Sequence, residues 1–164
     1  MKPPGRSILV VAIIALLGLM GGIVYYASLD NDDLSSATIK MGDVELVDVN
    51  SIENRATLKV SFLVKNNGDV TVTVPVITFE LFADGSVVGN GTYSTEDVAM
   101  PGRAAFYPDA EIPLNTRMTI AMSEMNEGVY NKIVSGQPVK YSATGMMTVE
   151  SAWSIVELDF DTNS

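Results

Sequence analysis

Between Ser7 and Leu29 the chain runs for 23 residues without a charge, and 18 of them are apolar. Its centre, Ile8–Ala27, is 20 residues long. At a rise of ~1.5 Å per residue, a helix of that length crosses a hydrocarbon layer of ~30 Å. Lipid offers no partners to free backbone groups, so a lone segment can cross only as a helix. Residues 7–29 are therefore expected to span a lipid bilayer. Lys2 and Arg6 precede the run, while Asp30, Asp32 and Asp33 follow it. The positive-inside rule then places residues 1–6 in the cytoplasm and residues 30–164 outside a cytoplasmic membrane. Tyr25 and Tyr26 fall at the outer interface, where aromatic residues collect.

A cleaved signal peptide would carry a shorter apolar stretch of ~7–15 residues and a small-x-small site. Val24-Tyr25-Tyr26-Ala27-Ser28 puts bulky residues at that site, which predicts an uncleaved signal anchor. Gly18, Gly21 and Gly22 offer a small-residue face on which other membrane-protein subunits could pack. Glycine is also ordinary in membrane helices, so the residues leave both readings open.

The acidic stretch 30–37 reads as a linker between anchor and domain. Asp30, Asp32 and Asp33 supply oxygens for a calcium ion, but the rest of a calcium loop is missing, and a solvated spacer is the plainer reading. From Thr38 onward apolar residues recur in short alternating blocks divided by turn residues. Leu58, Val60, Phe62 and Val64 alternate with more polar neighbours, the pattern of a half-buried strand. A second strand is expected over Val72–Ala83, with Val74, Val76, Phe79 and Leu81 inward and a bulge or edge at Pro75. Asp84-Gly85 predicts a two-residue hairpin into Ser86–Tyr93, where Gly89 and Gly91 signal a bulge or a close backbone approach. After a turn at Met100-Pro101-Gly102, further strands are read over Ala104–Ile112, Val139–Glu150 and Ala152–Phe160. Between them, Ser123 can cap a helix carrying Met125, Val129, Ile133 and Val134, ended by Gly136 and Pro138. The expectation for residues 38–164 is a mainly β domain, a seven-stranded β-sandwich of immunoglobulin or fibronectin III type with one short helix.

Among 164 residues there is neither His nor Cys. Disulfides, thiolate nucleophiles, Cys-type metal sites and a Ser-His-Asp triad are thereby excluded. All 20 acidic residues but only eight of the ten basic ones lie in 30–164, a net charge of −12, which speaks against a nucleic-acid partner. Asp109 with Glu111, and Glu96 with Asp97, come nearest to paired carboxylates, and Asp109 and Glu111 would share one face of a strand. A solvated acidic surface explains them equally, and the chain is read as having no catalytic residue, no cofactor and no metal site. Asn90-Gly91-Thr92 is an N-glycosylation sequon, which matters only if the domain lies outside the cytoplasm. Trp153 and Phe160 are expected in the core, as are Met118, Met122, Met125, Met146 and Met147 as core fillers.

The run Val64-Lys-Asn-Asn, then Thr73-Val-Pro-Val-Ile-Thr-Phe-Glu-Leu-Phe-Ala-Asp-Gly-Ser-Val-Val-Gly-Asn-Gly, resembles the late embryogenesis abundant type 2 family, also called the water-stress and hypersensitive-response (WHy) domain. Pro101-Gly102 before an apolar strand and the segment Val139-Lys-Tyr-Ser-Ala-Thr-Gly145-Met-Met-Thr-Val are similar to the same family. The likeness covers about residues 40–161. The family's usual Asn-Pro stands here as Asn66-Asn67, so the turn loses its rigid proline while Asn tolerates left-handed backbone. The resemblance implies a fibronectin-like sandwich, a frequent membrane tether, a link to desiccation and stress protection, and no catalytic set. Together these readings predict a membrane-anchored domain in the cell envelope with a non-catalytic binding, structural or stress-protective role. The alternative is an accessory single-span subunit of an integral-membrane enzyme complex. The chemistry of any small-molecule ligand stays open.

Overall fold

The computed structural model describes residues 5–28, 31–96 and 104–163. Strand chemistry is plainest in β2 (Arg55–Lys65), where Ala56, Leu58, Val60, Phe62 and Val64 are buried and the residues between them are not. β2 lies between β1 (Thr38–Asn50) and β6 (Glu111–Ala121), antiparallel to both. A second antiparallel sheet runs in the order β4 (Ser86–Ser94), β3 (Val72–Ala83), β7 (Tyr141–Glu150), β8 (Ile155–Asn163). The two-residue β5 (Ala105–Phe106) pairs with Val72 and Thr73, beyond the end of β4. Seven long strands in the order β1-β2-β6 over β4-β3-β7-β8 make the expected fibronectin III-like sandwich, with β5 as a short eighth.

Both open edges of the sandwich are stitched across the sheets. On one side the Thr116 hydroxyl donates to the Thr92 carbonyl at 2.7 Å. On the other, the Met41 N–H donates to Thr162 Oγ1 at 2.9 Å. Between the sheets Phe62 stands edge-on to Phe79, ring centres 4.8 Å apart, and to Phe160 at 5.8 Å. Such aromatic pairs add about 0.5–1.5 kcal/mol each to the area they bury.

Several expectations are corrected in detail. β3 has its irregularity where Pro75 predicts one, between Thr73 and Val76 in the pairing with β7. The extra residue changes the alternation, so Val72 and Val74 are buried, then Ile77, Phe79, Leu81 and Ala83, while Val76 is only half-buried. The strand expected over Ala104–Ile112 is split, because Tyr107–Ala110 closes a turn in which Asp109 has φ 62. Ser123 caps no helix: α3 (Glu127–Val134) begins after Asn126, whose Oδ1 instead accepts the Ser123 N–H at 2.8 Å. The buried face of α3 is Tyr130 and Ile133, and Met125 lies outside it, 90% exposed. Trp153 is not in the core either; it sits in the turn between β7 and β8, 66% exposed. Met118 and Met147 do fill the core, Met122 packs on it, and Met146 is outward.

The acidic segment read as a linker is, over its described part, built into the domain. α2 (Asn31–Ser35) buries Leu34 completely, and Ala37 behind it is also in the core. The sequence hides this because a single apolar residue among aspartates and serines carries no periodicity. Asp30, Lys2, the turn at Met100-Pro101-Gly102 and most of the tail 1–6 lie outside the described residues.

Candidate membrane interface

α1 (Gly5–Ser28) covers the uncharged run as far as Ser28 and is 24 residues long, about 36 Å at 1.5 Å per residue. That exceeds the ~30 Å hydrocarbon thickness and allows a modest tilt. Its large apolar side chains are all exposed, from 49% at Ile13 to 69% at Val24 and Tyr25. Among the described residues it is the one helix long and apolar enough to cross a membrane. Gly18, Gly21 and Gly22 share a side of it by their three- and four-residue spacing. A Cβ added at any of the three would meet nothing within 4 Å.

Where α2 meets the sandwich, polar side chains organise the chain. Asn66 is fully buried and holds two loops together. Its Nδ2 donates to the carbonyls of Val70 at 2.8 Å and Phe106 at 3.0 Å, while its Oδ1 accepts the Gly68 N–H at 3.0 Å. Asn67 Nδ2 donates to the Ser36 carbonyl at 2.9 Å and to Thr38 Oγ1 at 3.0 Å, clipping α2 to the start of β1. Neither asparagine uses the left-handed region that the sequence suggested for this turn; the described non-glycine residues that do are Asn54, Asp84 and Asp109. The Asn66-Asn67 pair thus works through side-chain amides, and Asn67 makes a link that a proline could not. Ser154 Oγ, in the β7–β8 turn, donates to Asn31 Oδ1 at the start of α2.

The remaining sequence candidates are scattered. Asn90 is exposed on β4, opposite Glu80 on the outer face of the sheet, and so accessible to modification. Asp109 and Glu111 do not share a strand face, since Asp109 belongs to the turn before β6. Asp97, partner of Glu96, lies outside the described residues. Asp33 in α2 faces the β2–β3 turn, its carboxylate accepting the Asp69 N–H at 3.4 Å. Among the described residues no group of three acidic side chains could hold a metal ion.

At the opposite end of the sandwich Asp84 joins three segments. Lys132 Nζ lies 2.8 Å from Asp84 Oδ2, and the Lys140 N–H donates to Oδ1 at 3.1 Å. These two contacts, the Lys132 hydrogen bond foremost, hold the Asp84 carboxyl below the usual aspartate range. Burial pushes the Tyr141 hydroxyl above its ordinary value, and the charge of Asp84 adds to the effect. The hollow lined by Asp84, Lys140, Tyr141 and Asn163 is open to solvent. Charge is unevenly divided between the sheets. The outer face of the four-stranded path carries Glu80, Glu150, Glu157, Asp159 and Asp161, and its strands hold no Lys or Arg. The basic residues that lie in strands, Lys40, Arg55, Lys59, Lys65 and Arg117, all belong to the three-stranded sheet.

No family model matches this chain, and no curated protein matches it at a significant level. Solved structures do. A protein from Arabidopsis thaliana is similar over 77% of this chain and 79% of its own, with a TM-score of 0.51 at 13% identity. A structural-genomics target is similar over 80% of this chain and 86% of its own, with a TM-score of 0.50 at 7% identity. At such identities the likeness is one of fold. A candidate late embryogenesis abundant protein aligns with 96% of this chain and 88% of its own, at 10% identity and a TM-score of only 0.45.

Proposed function

We propose that this protein is a single-span membrane protein, N-terminus in the cytoplasm, displaying its β-sandwich outside the cytoplasmic membrane. There the domain serves the cell envelope without catalysis, by binding or by structural, stress-protective support. The observation that carries the reading is α1, whose apolar side chains are exposed along its whole length. Water-exposed, those side chains would be a large cost at ~25 cal/mol per Å² of apolar surface; in lipid the cost vanishes. The lysine- and arginine-flanked start and aspartate-flanked end of that run support the orientation. The late embryogenesis abundant type 2 pattern around Asn66, Gly91 and Gly145 supports the protective role. A net charge of −12 over residues 30–164 keeps such a domain soluble and away from anionic surfaces.

A second reading rests on Gly18, Gly21 and Gly22, whose exposed face would let a partner helix approach closely. In it the protein is an accessory subunit of an integral-membrane complex. One set of measurements tests both. In the source cell, a C-terminally tagged chain is expected in the membrane fraction, resistant to alkaline wash, with its tag digested by protease added outside intact spheroplasts. A strain lacking the protein is expected to lose viability on drying, with rescue by the full chain and none by residues 31–164 alone. Recovery in the soluble fraction, or a tag protected from external protease, would overturn the topology. Equal survival together with stoichiometric co-purifying membrane proteins would favour the subunit reading.

A further inference from the structure

The end of the sandwich nearest the anchor is where its exposed aromatic residues gather. Trp153, the chain's single tryptophan, is 66% exposed, Ile155 beside it 64%, and Tyr107 66%. Tyr107 follows β5, and Trp153 lies in the turn that follows β7. β5 and β7 flank Thr73 on opposite sides, so the two loops emerge about two strand spacings, ~10 Å, apart. The stretch Ser151-Ala-Trp-Ser-Ile-Val156 carries no charge in a strongly acidic domain.

This tip is stiff. The Ser151 N–H donates to the Ser154 carbonyl at 2.8 Å, and Ser151 Oγ accepts the N–H groups of Trp153 and Ser154 at 3.2 and 3.1 Å. Trp153 is thus held outward by a closed turn. The same turn is tied to the anchor, because Ser154 Oγ donates to Asn31. Three peptide steps separate Ser28 at the end of α1 from Asn31, and they reach at most about 11 Å even when fully extended. Whatever path the chain takes there, Trp153 stays close to the outer end of the membrane helix. Tyr25 and Tyr26, also exposed, mark the interface at that end.

We infer that the anchor-proximal end of the sandwich docks on the bilayer that α1 spans, with Trp153 and Ile155 inserted at the headgroup–acyl boundary and Tyr107 beside them. This rests on the reading of α1 as a membrane span. The occupant is a neutral or zwitterionic lipid surface. Trp and Tyr favour that boundary because a flat apolar ring and a polar N–H or O–H are satisfied there together. Asp32, Asp33, Asp69 and Asp109 on the same end repel an anionic leaflet, so the attraction is apolar and not electrostatic. Docking through a rigid turn fixes the domain's orientation on the membrane, which a bare tether would leave free.

Because Trp153 is the lone tryptophan, its fluorescence reports the contact directly. The full chain is reconstituted into phosphatidylcholine vesicles, purified by flotation and examined with two quenchers. Trp153 emission is expected to shift to the blue, to lose accessibility to acrylamide, and to be quenched by nitroxide-labelled lipid with a shallow label. The double variant Trp153→Phe, Ile52→Trp moves the reporter to the hairpin turn at the far end, where Ile52 is 95% exposed. That reporter is expected to stay open to acrylamide and untouched by the lipid quencher. Replacing part of the lipid with phosphatidylglycerol is expected to weaken the Trp153 quenching; equal or stronger quenching overturns the neutral surface. A chain that floats while Trp153 stays open to acrylamide and unquenched by lipid overturns the docking and leaves the span standing. A chain that does not float overturns both. A blue shift found only in native membranes, with partner proteins present, assigns the tip to a protein and overturns the lipid assignment.

Discussion

Phe79 decides what two of its neighbours must be. On one side a Cβ at Gly91 would strike its ring, reaching 2.8 Å from both Cε atoms, and on the other a Cβ at Gly145 would collide with the Thr78 carbonyl and lie 2.8 Å from the Phe79 Cα. The glycines therefore make room for a large ring and a close pair of strands at the point where Phe62, Phe79 and Phe160 meet. This gives a physical cause to a motif that the sequence shows only as spacing. Gly145→Ala is expected to cost about 3 kcal/mol, because the obstacle is backbone and cannot swing aside. Gly128→Ala, in α3 with open space around it, is expected to stabilise by about 0.5–1 kcal/mol. Urea unfolding of the two variants checks the pair: the first should lower the midpoint at unchanged slope and the second raise it. Equal midpoints would show that the Phe79 site is looser than its geometry says.

Hairpins and helices carry the next layer, and the Asp84-Gly85 turn between β3 and β4 is the clearest case. Asp84 at φ 48 and Gly85 at φ 81 form the left-handed pair that a two-residue hairpin needs. The aspartate also receives Lys132 from α3 and the Lys140 N–H ahead of β7. Its carboxyl is held below the usual range, so this contribution is full above the unfolded value near 4 and fades as pH falls through the lower folded value. Asp84→Asn keeps the turn and the acceptor oxygen but removes the charge. Thermal melts of the two proteins should differ at neutral pH and converge in strong acid; a constant gap would mean the Lys132 contact adds nothing. Elements with a period or a turn signature were legible in this way: β2, β3, the hairpin, and the bulges at Pro75 and Gly89. What escaped had a weak local signal or none. The turn at Asp109 is marked only by Pro108-Asp109 inside an otherwise strand-like segment, α3 starts after Asn126, whose amide bonds the preceding loop and not the helix, and the role of Asn66 is written in contacts with Val70 and Phe106. Trp153 reads as core by its hydrophobicity alone, whereas its position in a tight turn leaves its ring outside.

For the molecule as a whole, the question is where the domain begins. Composition divides the chain after the apolar run and again at Thr38, yet the core recognises only the first division. Leu34 is fully exchanged from water into the sandwich, Asn67 grips the Ser36 carbonyl, and a Cβ on Gly68 would press against the Asp33 carbonyl at 2.7 Å. A domain of this size holds a net stability of about 5–15 kcal/mol, and truncating one buried leucine removes about 2–5 of it. A fragment of residues 31–164 should therefore unfold cooperatively, whereas 38–164, which lacks Leu34, Ala37 and the α2 contacts, should unfold at a clearly lower urea concentration or fail to fold. Leu34→Ala in the longer fragment should fall between them. If 38–164 matched 31–164, α2 would be an ornament and the acidic segment a free spacer after all. The consequence reaches the membrane. With α2 part of the core and only residues 29 and 30 between it and α1, the proposed membrane span carries the sandwich without a long tether. Inserting a flexible stretch of six glycines and serines after Ser28 should leave the urea midpoint of the domain unchanged. On phosphatidylcholine vesicles it should weaken the quenching of Trp153 by nitroxide-labelled lipid, because only the mount, and not the fold, has been altered.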